Sequence, residues 1–196
     1  MTDTELLSAV AVIAEEGVRG DVIRKLTPSD VPVYSTNAQD TAVAVQETLD
    51  HFDAEACILI GSDWPFLDSE LIDRLVRASR RTANCDYAAY QFTNEIFSAE
   101  RPYGLFPEWY NGNSVRELIS KSDDLIHRQM PGTYFLDNQS TYSVATLPIP
   151  AGLDKVEDMK FSFDDEEDWD NILDLHHALD LEVLDCRKVG NLLATA

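Results

Sequence analysis

Cations are scarce in this sequence: 196 residues contain 15 lysines and arginines against 36 aspartates and glutamates, a net charge of −21. Such a field repels nucleic acid phosphates, so DNA and RNA are not expected partners. An anionic substrate would need a local metal ion or arginine in order to bind. Adaptation to concentrated salt stays open beside ordinary acidity. A melting temperature that stays constant in rising potassium chloride would argue against that adaptation.

Cysteine is equally sparse, and its spacing carries no metal or redox motif. Cys57, Cys85 and Cys186 are odd in number and far apart, with no CxxC pair that would suggest zinc binding or disulfide chemistry. His176 and His177 are adjacent, and neighbours on a helix point about 100° apart. They would not share a metal ion as an i, i+4 pair does, so histidine ligation is not expected.

Long apolar runs and a secretory signal are also lacking. No apolar segment approaches the roughly eighteen residues that would span a bilayer. The start, MTDTELLSAV, is acidic where a signal peptide would be basic. The expectation is therefore a cytoplasmic protein without a membrane partner. With 44% hydrophobic residues, the chain can form one domain over 1–196.

Hydrophobic periodicity predicts alternating strands and helices. Residues 4–16 fit a helix, which is favoured, or a short buried strand that ends at Gly17, and 101–114 is predicted as an irregular loop before a helix capped by Ser114. The alternation predicts an α/β three-layer sandwich around a mostly parallel sheet. Strands are predicted over 31–36, 56–60, 86–92, 143–147 and 159–163, and helices over 40–52, 69–79, 114–120 and 164–180.

Two predicted strands end at an aspartate. The run CILI at 57–60 is followed by Gly-Ser-Asp63, and the strand over 159–163 is followed by Asp164. Ligands of open α/β sheets bind beyond the carboxyl ends of strands, so the two carboxylates could converge on one Mg²⁺. The alternative is that acids such as Asp68 and Asp165 are ordinary helix caps. Asp63 lies upstream of the expected cap, which leaves the metal interpretation open.

Several motifs, in the same order, resemble the cytidylyltransferase family that includes spore-coat polysaccharide biosynthesis protein F. The segment GSDWPFLDSELID at 61–73 is similar to that family's "GDxPLxDPxLID". The later DYAAY, PYGLFPEW and FSFDDEEDW are similar to its "DY", "PxGxxxE" and "LTVDTxED" elements. The resemblance begins at the VPVY strand and covers most of the chain from residue 31 onward.

The resemblance implies a nucleotide-diphospho-sugar transferase fold and nucleotidyl transfer from a nucleoside triphosphate, with CTP favoured. The acceptor would be a small molecule, a sugar acid or a related compound of surface-polysaccharide biosynthesis. By position, Asp63 and Asp164 would hold Mg²⁺ and act as the catalytic residues, and Glu108 would help to shape the acceptor pocket. The aromatic residues Tyr103, Phe106, Trp109 and Tyr110 fit a ligand lid, the surface of a homodimer or part of the core.

The first 30 residues depart from that family. Its members open with a loop similar to "ARxxSxRLPGKxL", in which backbone N–H groups and cations hold the triphosphate. The best candidate here, AVAVIAEEGVRGDVIRKL at 9–26, supplies Arg19 and Lys25 as expected phosphate contacts but carries Glu15 and Glu16 at a position that is basic in the family. The sequence therefore leaves open a catalytically inactive homologue that binds a nucleotide sugar or assembles with a partner.

Overall fold

The described strands of the chain form two sheets, and helices connect them. In the computed structural model, which describes residues 6–93, 95–100, 104–153, 160–163 and 165–179, six strands alternate with helices. The strands are β1 (Val12–Glu15), β2 (Val33–Thr36), β3 (Ala56–Leu59), β4 (Tyr87–Gln91), β5 (Glu108–Asn111) and β6 (Val144–Pro148). The helices are α1 (Val18–Leu26), α2 (Thr41–His51), α3 (Ser69–Arg81), α4 (Gly112–Lys121), α5 (Leu125–Gln129), α6 (Pro131–Asp137) and α7 (Glu166–Leu179).

The larger sheet has the strand order β3-β5-β4-β6, and β1 pairs with β2 in a second, parallel sheet. Strand β4 runs parallel to β6, whereas β5 runs antiparallel to both β3 and β4. Strands β3, β4 and β6 therefore share one direction, and a single reversed strand lies among them. The predicted α/β class is confirmed, and the predicted parallel character holds for β1–β2 and β4–β6.

Helices cover both faces of the larger sheet, which explains the nearly unbroken apolar run of β4. Ala88 and Tyr90 belong to a core that also contains residues of α3 and α7. Tyr87 and Ala89 point to the opposite core, formed with residues of α2, α4 and α6. The four side chains are all buried, as a strand between two helical layers requires. The layers are thus helix, sheet and helix.

Aspartate side chains cap four of the described helices, and Asp124 caps α5 by accepting a hydrogen bond from Ile126 N at 2.8 Å. The side chain of Asp40 accepts a hydrogen bond from Val43 N at 2.8 Å, and that of Asp68 accepts one from Glu70 N at 2.8 Å. At the start of α7, Asp168 N donates to the Asp165 side chain at 2.9 Å. These carboxylates satisfy backbone donors that have no partner within their own helix.

The helix favoured for residues 4–16 is wrong within the described part of that segment. Residues 12–15 form β1, which pairs in parallel with 33–36 of β2, and Gly17 follows the strand. Ala14 is buried, and the β2 backbone supplies the hydrogen bonds that a helix would have formed internally. Small apolar residues at these positions fit both the period of a helix and the period of a strand. Pairing with β2 makes the segment a strand.

Two further boundary predictions are corrected. The loop predicted over 101–114 contains β5, and α4 begins after Asn111, whose side chain accepts a hydrogen bond from Asn113 N at 2.9 Å. Ser114 is not the cap: its hydroxyl donates to Asp86 instead. Residues 160–163, the described part of the strand predicted over 159–163, do not form a strand, and Phe161 and Ser162 are both buried there.

Within the described ranges, no helix has both the length and the apolar composition needed to cross a membrane.

Candidate functional site

A cavity of about 130 Å³ lies at the carboxyl end of β3. Leu59, the last residue of β3, pairs with Glu108, the first residue of the antiparallel strand β5, and both line the cavity. Trp64 from the loop after β3 and Gly132 from the start of α6 line it as well. The reversed strand thus delivers a carboxylate to the edge of the sheet where α/β proteins bind ligands.

Two tyrosine hydroxyl groups hold the Glu108 side chain in place. Tyr87 OH donates to Glu108 Oε2 at 2.5 Å, and Tyr110 OH donates to the same oxygen at 2.6 Å. The tyrosines are direct partners across β4 and β5, and their ring centroids are 5.1 Å apart. No described residue hydrogen-bonds the second oxygen, Oε1. The carboxyl group is therefore fixed by one oxygen and has the other available to a ligand.

Burial sets the electrostatics of this cluster. Removal from bulk water raises the pKa of Glu108, although the two tyrosine donors act in the opposite direction. Glu108 keeps partial exposure through the cavity that it lines. The pKa values of Tyr87 and Tyr110 lie well above their usual value, because both are buried beside this carboxylate. The tyrosines therefore act as hydrogen-bond donors, and Glu108 takes up a proton more readily than an exposed glutamate.

Gly132 allows α6 to approach this cluster. A Cβ atom at that position would lie 2.2 Å from Glu108 Oε2 and 2.4 Å from Tyr87 OH, which is closer than any normal contact. The absence of a side chain at Gly132 therefore preserves both the hydrogen bonds and the space beside them.

Ser98 lines the same cavity and carries a buried hydroxyl group. The residue is 6% exposed, and its Oγ has no hydrogen-bond partner among the described residues. Native proteins leave few buried polar atoms unpaired, because each costs about 1–3 kcal/mol. Glu108 Oε1 thus provides an acceptor for a polar ligand, whereas Ser98 Oγ is a buried polar atom without a described partner.

The loop after β3 brings Asp63 next to the cavity. A Cβ atom at Gly61 would lie 2.3 Å from Asp63 Oδ1 and 2.4 Å from Trp64 Nε1, so both side chains fold over the glycine. Asp63 is half-buried, and its carboxylate makes no hydrogen bond to a described residue. Phe66, which is fully buried against Phe161 with ring centroids 6.1 Å apart, anchors the loop.

The expected site residues are only partly brought together. Trp64, the neighbour of Asp63, shares the cavity with Glu108, whereas Arg19 and Lys25 are exposed on α1 and do not line it. Asp164 lies outside the described residues. Among the residues that are described, no three His, Cys, Asp or Glu side chains form a group that could hold a metal ion. The unpaired carboxylate of Asp63 fits one ligand of Mg²⁺, and at least one more would have to join it.

The sequence interpretation missed the side chains that hold Glu108. Tyr87 and Tyr110 were assigned only to strand and loop patterns, and Ser98 and Gly132 were not singled out. A signal existed, because residues 108 and 110 lie on one face of any strand that contains both. To bring Tyr87 into the same cluster, the sequence would also have to reveal that β5 pairs antiparallel with β4. The segment is rich in Gly, Pro and aromatic residues, and it was therefore predicted as a loop.

Comparisons with known proteins find similarity in structure and none in sequence. No protein-family model matches the chain, and no curated protein matches it significantly. A cytidylyltransferase from Leptospira borgpetersenii superposes with a TM-score of 0.74 at 14% identity, covering 90% of this chain and 72% of that one. CMP:2-keto-3-deoxy-manno-octonic acid synthetase complexed with CTP gives 0.63 at 10% identity, with coverage of 92% and 85%. The manganese complex of Rv0371C from Mycobacterium tuberculosis gives 0.52 at 14%, with coverage of 84% and 77%.

The chain has a nucleotide-diphospho-sugar transferase-like fold. Within this fold, the β3 loop and the start of β5 lie at one edge of the larger sheet and form the cavity. The segment before α1, which carries Glu15 and Glu16, belongs instead to the small β1–β2 sheet. The nucleotide-diphospho-sugar transferase-like fold therefore accounts for the position of the cavity and leaves its chemistry to the individual side chains.

Replacement of Glu108 by glutamine is expected to alter the pH dependence of stability. The folded-state pKa of Glu108 lies above the usual 4.5, so the folded protein retains a proton that the unfolded chain releases. The wild-type stabilisation is complete below the unfolded pKa and is lost as pH rises through the folded pKa. We expect Glu108→Gln to melt progressively higher relative to wild type as pH rises through this window.

Glu117→Gln is the matched control, because Lys121 lowers the pKa of this exposed carboxylate. Its stability deficit relative to wild type should be present at neutral pH and should shrink as pH falls below the usual glutamate pKa of 4.5. Melting curves between about pH 3 and 8 by circular dichroism make the comparison. Parallel curves for Glu108→Gln and wild type would contradict the raised pKa.

Proposed function

We propose that this protein is a nucleotidyltransferase that transfers a cytidylyl group from CTP to a small acceptor held in the cavity. It would resemble the cytidylyltransferases of surface-polysaccharide biosynthesis, the group that includes spore-coat polysaccharide biosynthesis protein F. The acceptor oxygen would attack the α-phosphorus and pyrophosphate would leave. Catalysis would depend mainly on the positioning of the two substrates and on neutralisation of the phosphate charge.

One observation carries the proposal: a single cavity is lined by the neighbour of Asp63 and by Glu108. Asp63 is suited to the metal and phosphate side of the reaction, and Glu108 is suited to the acceptor side. Phe161 packs on Phe66 of the Asp63 loop, and Asp164 follows Phe161 by three positions in the sequence. This packing supports Asp164 as the second metal ligand.

A divalent cation, Mg²⁺ in the first instance, would neutralise the triphosphate when bound. Asp63 and Asp164 would hold it. The similar structures include one complexed with CTP and one complexed with manganese, which supports a nucleotide and a divalent metal as ligands of this fold. In a chain of net charge −21, such a cation also offsets the repulsion of an anionic substrate.

Helix α1 would supply the protein cations for the triphosphate. Arg24 is engaged by Asp21 at 2.5 Å and by Ser35 at 2.6 Å, whereas Arg19 and Lys25 make no ion pair with described residues. These two side chains are therefore available for phosphate contacts. A triphosphate would have to draw them towards the Asp63 loop, since neither lines the cavity.

The cavity favours acceptors that bind through hydroxyl groups. Glu108 Oε1 would accept a hydrogen bond from such a group. The described lining contains no lysine, arginine or histidine. The carboxylate of a sugar acid would therefore need a partner elsewhere, and neutral polyols belong in the acceptor panel beside sugar acids.

The test combines ligand stabilisation with turnover. CTP at one hundred times its dissociation constant should stabilise the protein by about 2.7 kcal/mol, or about 5–10 °C for a chain of this size. The shift should require Mg²⁺ and be smaller with ATP, GTP or UTP. Pyrophosphate release should appear only when an acceptor from the panel is added.

Absence of a shift with every triphosphate, from a protein that melts cooperatively, would refute the proposed transferase. A shift with CTP but no pyrophosphate release across the panel would favour the inactive homologue that binds a nucleotide or nucleotide sugar. Chelation of Mg²⁺ by EDTA serves as the control, because it should remove the shift without changing the melting temperature of the unliganded protein.

A further inference from the structure

A second recess lies on the opposite edge of the larger sheet from β3, between α3 and β6. It is an open groove of about 480 Å³. Arg74, Arg77 and Arg81 line its helical side, and Val144 and Thr146 of β6 line the other side. We call it the arginine groove. It shares no lining residue with the cavity around Glu108.

The charge of the arginine groove is opposite to that of the whole protein. No described residue of its lining is acidic, although the chain has 36 acidic residues and only 15 basic ones. The arginines are also weakly engaged. Arg81 makes no ion pair with a described residue, Arg77 lies 3.4 Å from Asp73 while 48% exposed, and Arg74 lies 5.9 Å above the Tyr90 ring. A surface pair as loose as that of Arg77 contributes little, so these guanidinium groups remain available to an anionic partner.

The β6 side offers backbone groups as well as space. Strand β6 is the last strand of the described sheet and pairs only with β4 among the described strands. Ile149 N donates to Gln91 O, and Ser143 O accepts from Tyr87 N, so the odd-numbered residues face β4. The N–H and C=O groups of Val144 and Thr146 therefore point towards the open edge. Pro148, which has no N–H, ends the available stretch.

These observations select one kind of occupant. An open edge of alternating N–H and C=O groups is complementary to another extended polypeptide strand. Successive side chains on one face of such a strand are about 6.6–6.8 Å apart, and the four-residue spacing of Arg77 and Arg81 corresponds to about 6 Å along a helix. Acidic side chains at every second position would thus match the arginines in both spacing and sign.

A second copy of this chain does not fit as the occupant. Antiparallel pairing of two β6 strands would bring the two α3 helices to the same face of a continuous sheet. The charged residues in the described lining of each groove are all arginines, so the two linings offer each other no acidic partner. Like charges in close apposition disfavour that pairing.

We propose that the arginine groove binds an extended acidic segment of another polypeptide, which adds a strand to β6 and places alternate carboxylates against α3. The interaction is independent of the proposed transferase activity. It gives a strongly acidic protein a surface for acidic partners, at the edge of the described sheet remote from the cavity.

The test uses fluorescein-labelled eight-residue peptides and fluorescence anisotropy with the full-length protein. The peptide (Thr-Glu)₄ should bind at least tenfold more tightly than (Thr-Gln)₄, which lacks the charge, and than (Pro-Glu)₄, which has the charge but cannot form a strand ladder. Its affinity should fall as sodium chloride is raised from 50 to 300 mM, because the ion pairs are exposed.

Protein variants test the contribution of the α3 arginines separately from that of the β6 backbone. Arg77→Gln/Arg81→Gln should weaken (Thr-Glu)₄ binding at least fivefold, and Thr146→Pro should do the same by removing one edge N–H. Proline is tolerated on edge strands, and a melting curve checks that this variant folds. Arg80→Gln is the matched control, since Arg80 is exposed on the same helix but does not line the groove, and it should change binding less than twofold.

Equal affinity for (Thr-Glu)₄ and (Pro-Glu)₄, or full binding by folded Thr146→Pro, would overturn strand addition. Unchanged binding by the double arginine variant, or no binding of (Thr-Glu)₄ by the wild-type protein, would overturn the arginine groove as the site. A dimer that forms in sedimentation experiments and excludes the peptide would replace the acidic partner by a second copy.

Discussion

Asp63→Asn is expected to lower pyrophosphate release by at least about a hundredfold while leaving the fold intact. The substitution keeps the shape of the side chain and removes the charge proposed to hold the metal, and a lost ligand affects both affinity and rate. Asp63 is half-buried with no hydrogen bond to a described residue, so its neutralisation leaves no buried partner unpaired. Initial rates at saturating CTP and variable Mg²⁺ measure the effect.

Asp30→Asn is the control, because Asp30 is an exposed acid before β2 that does not line the cavity. It removes the same charge from the protein and should retain most of the activity. Equal rates for Asp63→Asn and wild type would remove Asp63 from the metal site. Equal loss in both variants would point to the net charge of the chain as the cause.

Phe66→Ala is expected to have the largest effect on stability. Phe66 is fully buried and packs edge-to-face against Phe161, and truncation of a buried phenylalanine to alanine costs about 3–5 kcal/mol. For a chain of this size that corresponds to a fall in melting temperature of about 6–20 °C. The cavity left behind would also loosen the loop that carries Asp63, so the Mg²⁺ concentration for half-maximal activity should rise.

Phe66→Leu is the matched comparison, because it keeps most of the apolar volume and should cost less than about half as much. Urea unfolding of the three proteins gives the free energies, and Mg²⁺ titration of the rate gives the functional effect. If Phe66→Ala lost stability but kept the wild-type Mg²⁺ dependence, the aromatic pair would be purely structural and the loop would be held by other contacts.

Local chemistry made much of the fold predictable. Helix α2 follows from an aspartate cap before an amphipathic segment, and α3 follows in the same way from Asp68, because caps and periodicity are encoded within a few residues. The helix predicted over 4–16 is wrong in its described part, because small apolar residues fit the period of a helix or of a strand until a partner strand is known. Only pairing with β2 decides it, and pairing is a long-range property.

In the candidate site, too, the residues that belong to local motifs were predictable, and those that depend on long-range packing were not. Asp63 and Glu108 were identified from short motifs, and they lie beside and within one cavity. The tyrosine donors to Glu108 depend on the register of β5, and the unpaired hydroxyl of Ser98 depends on tertiary packing, so neither could be derived from spacing. The strand predicted over 159–163 is absent from its described residues, 160–163. The convergence of Asp63 and Asp164 stays a prediction.

The reversed strand β5 also determines the order in which the chain can assemble. Its partner β3 precedes it by about fifty residues, and β4 lies between them in the sequence, yet neither strand touches the other without β5. During synthesis β3 and β4 therefore leave the ribosome before β5, and the backbone groups that pair with β5 stay unpaired until it is made. Such non-local closure slows folding and leaves β edges exposed in the nascent chain. The strand that presents Glu108 to the cavity is thus also the one that joins β3 to β4.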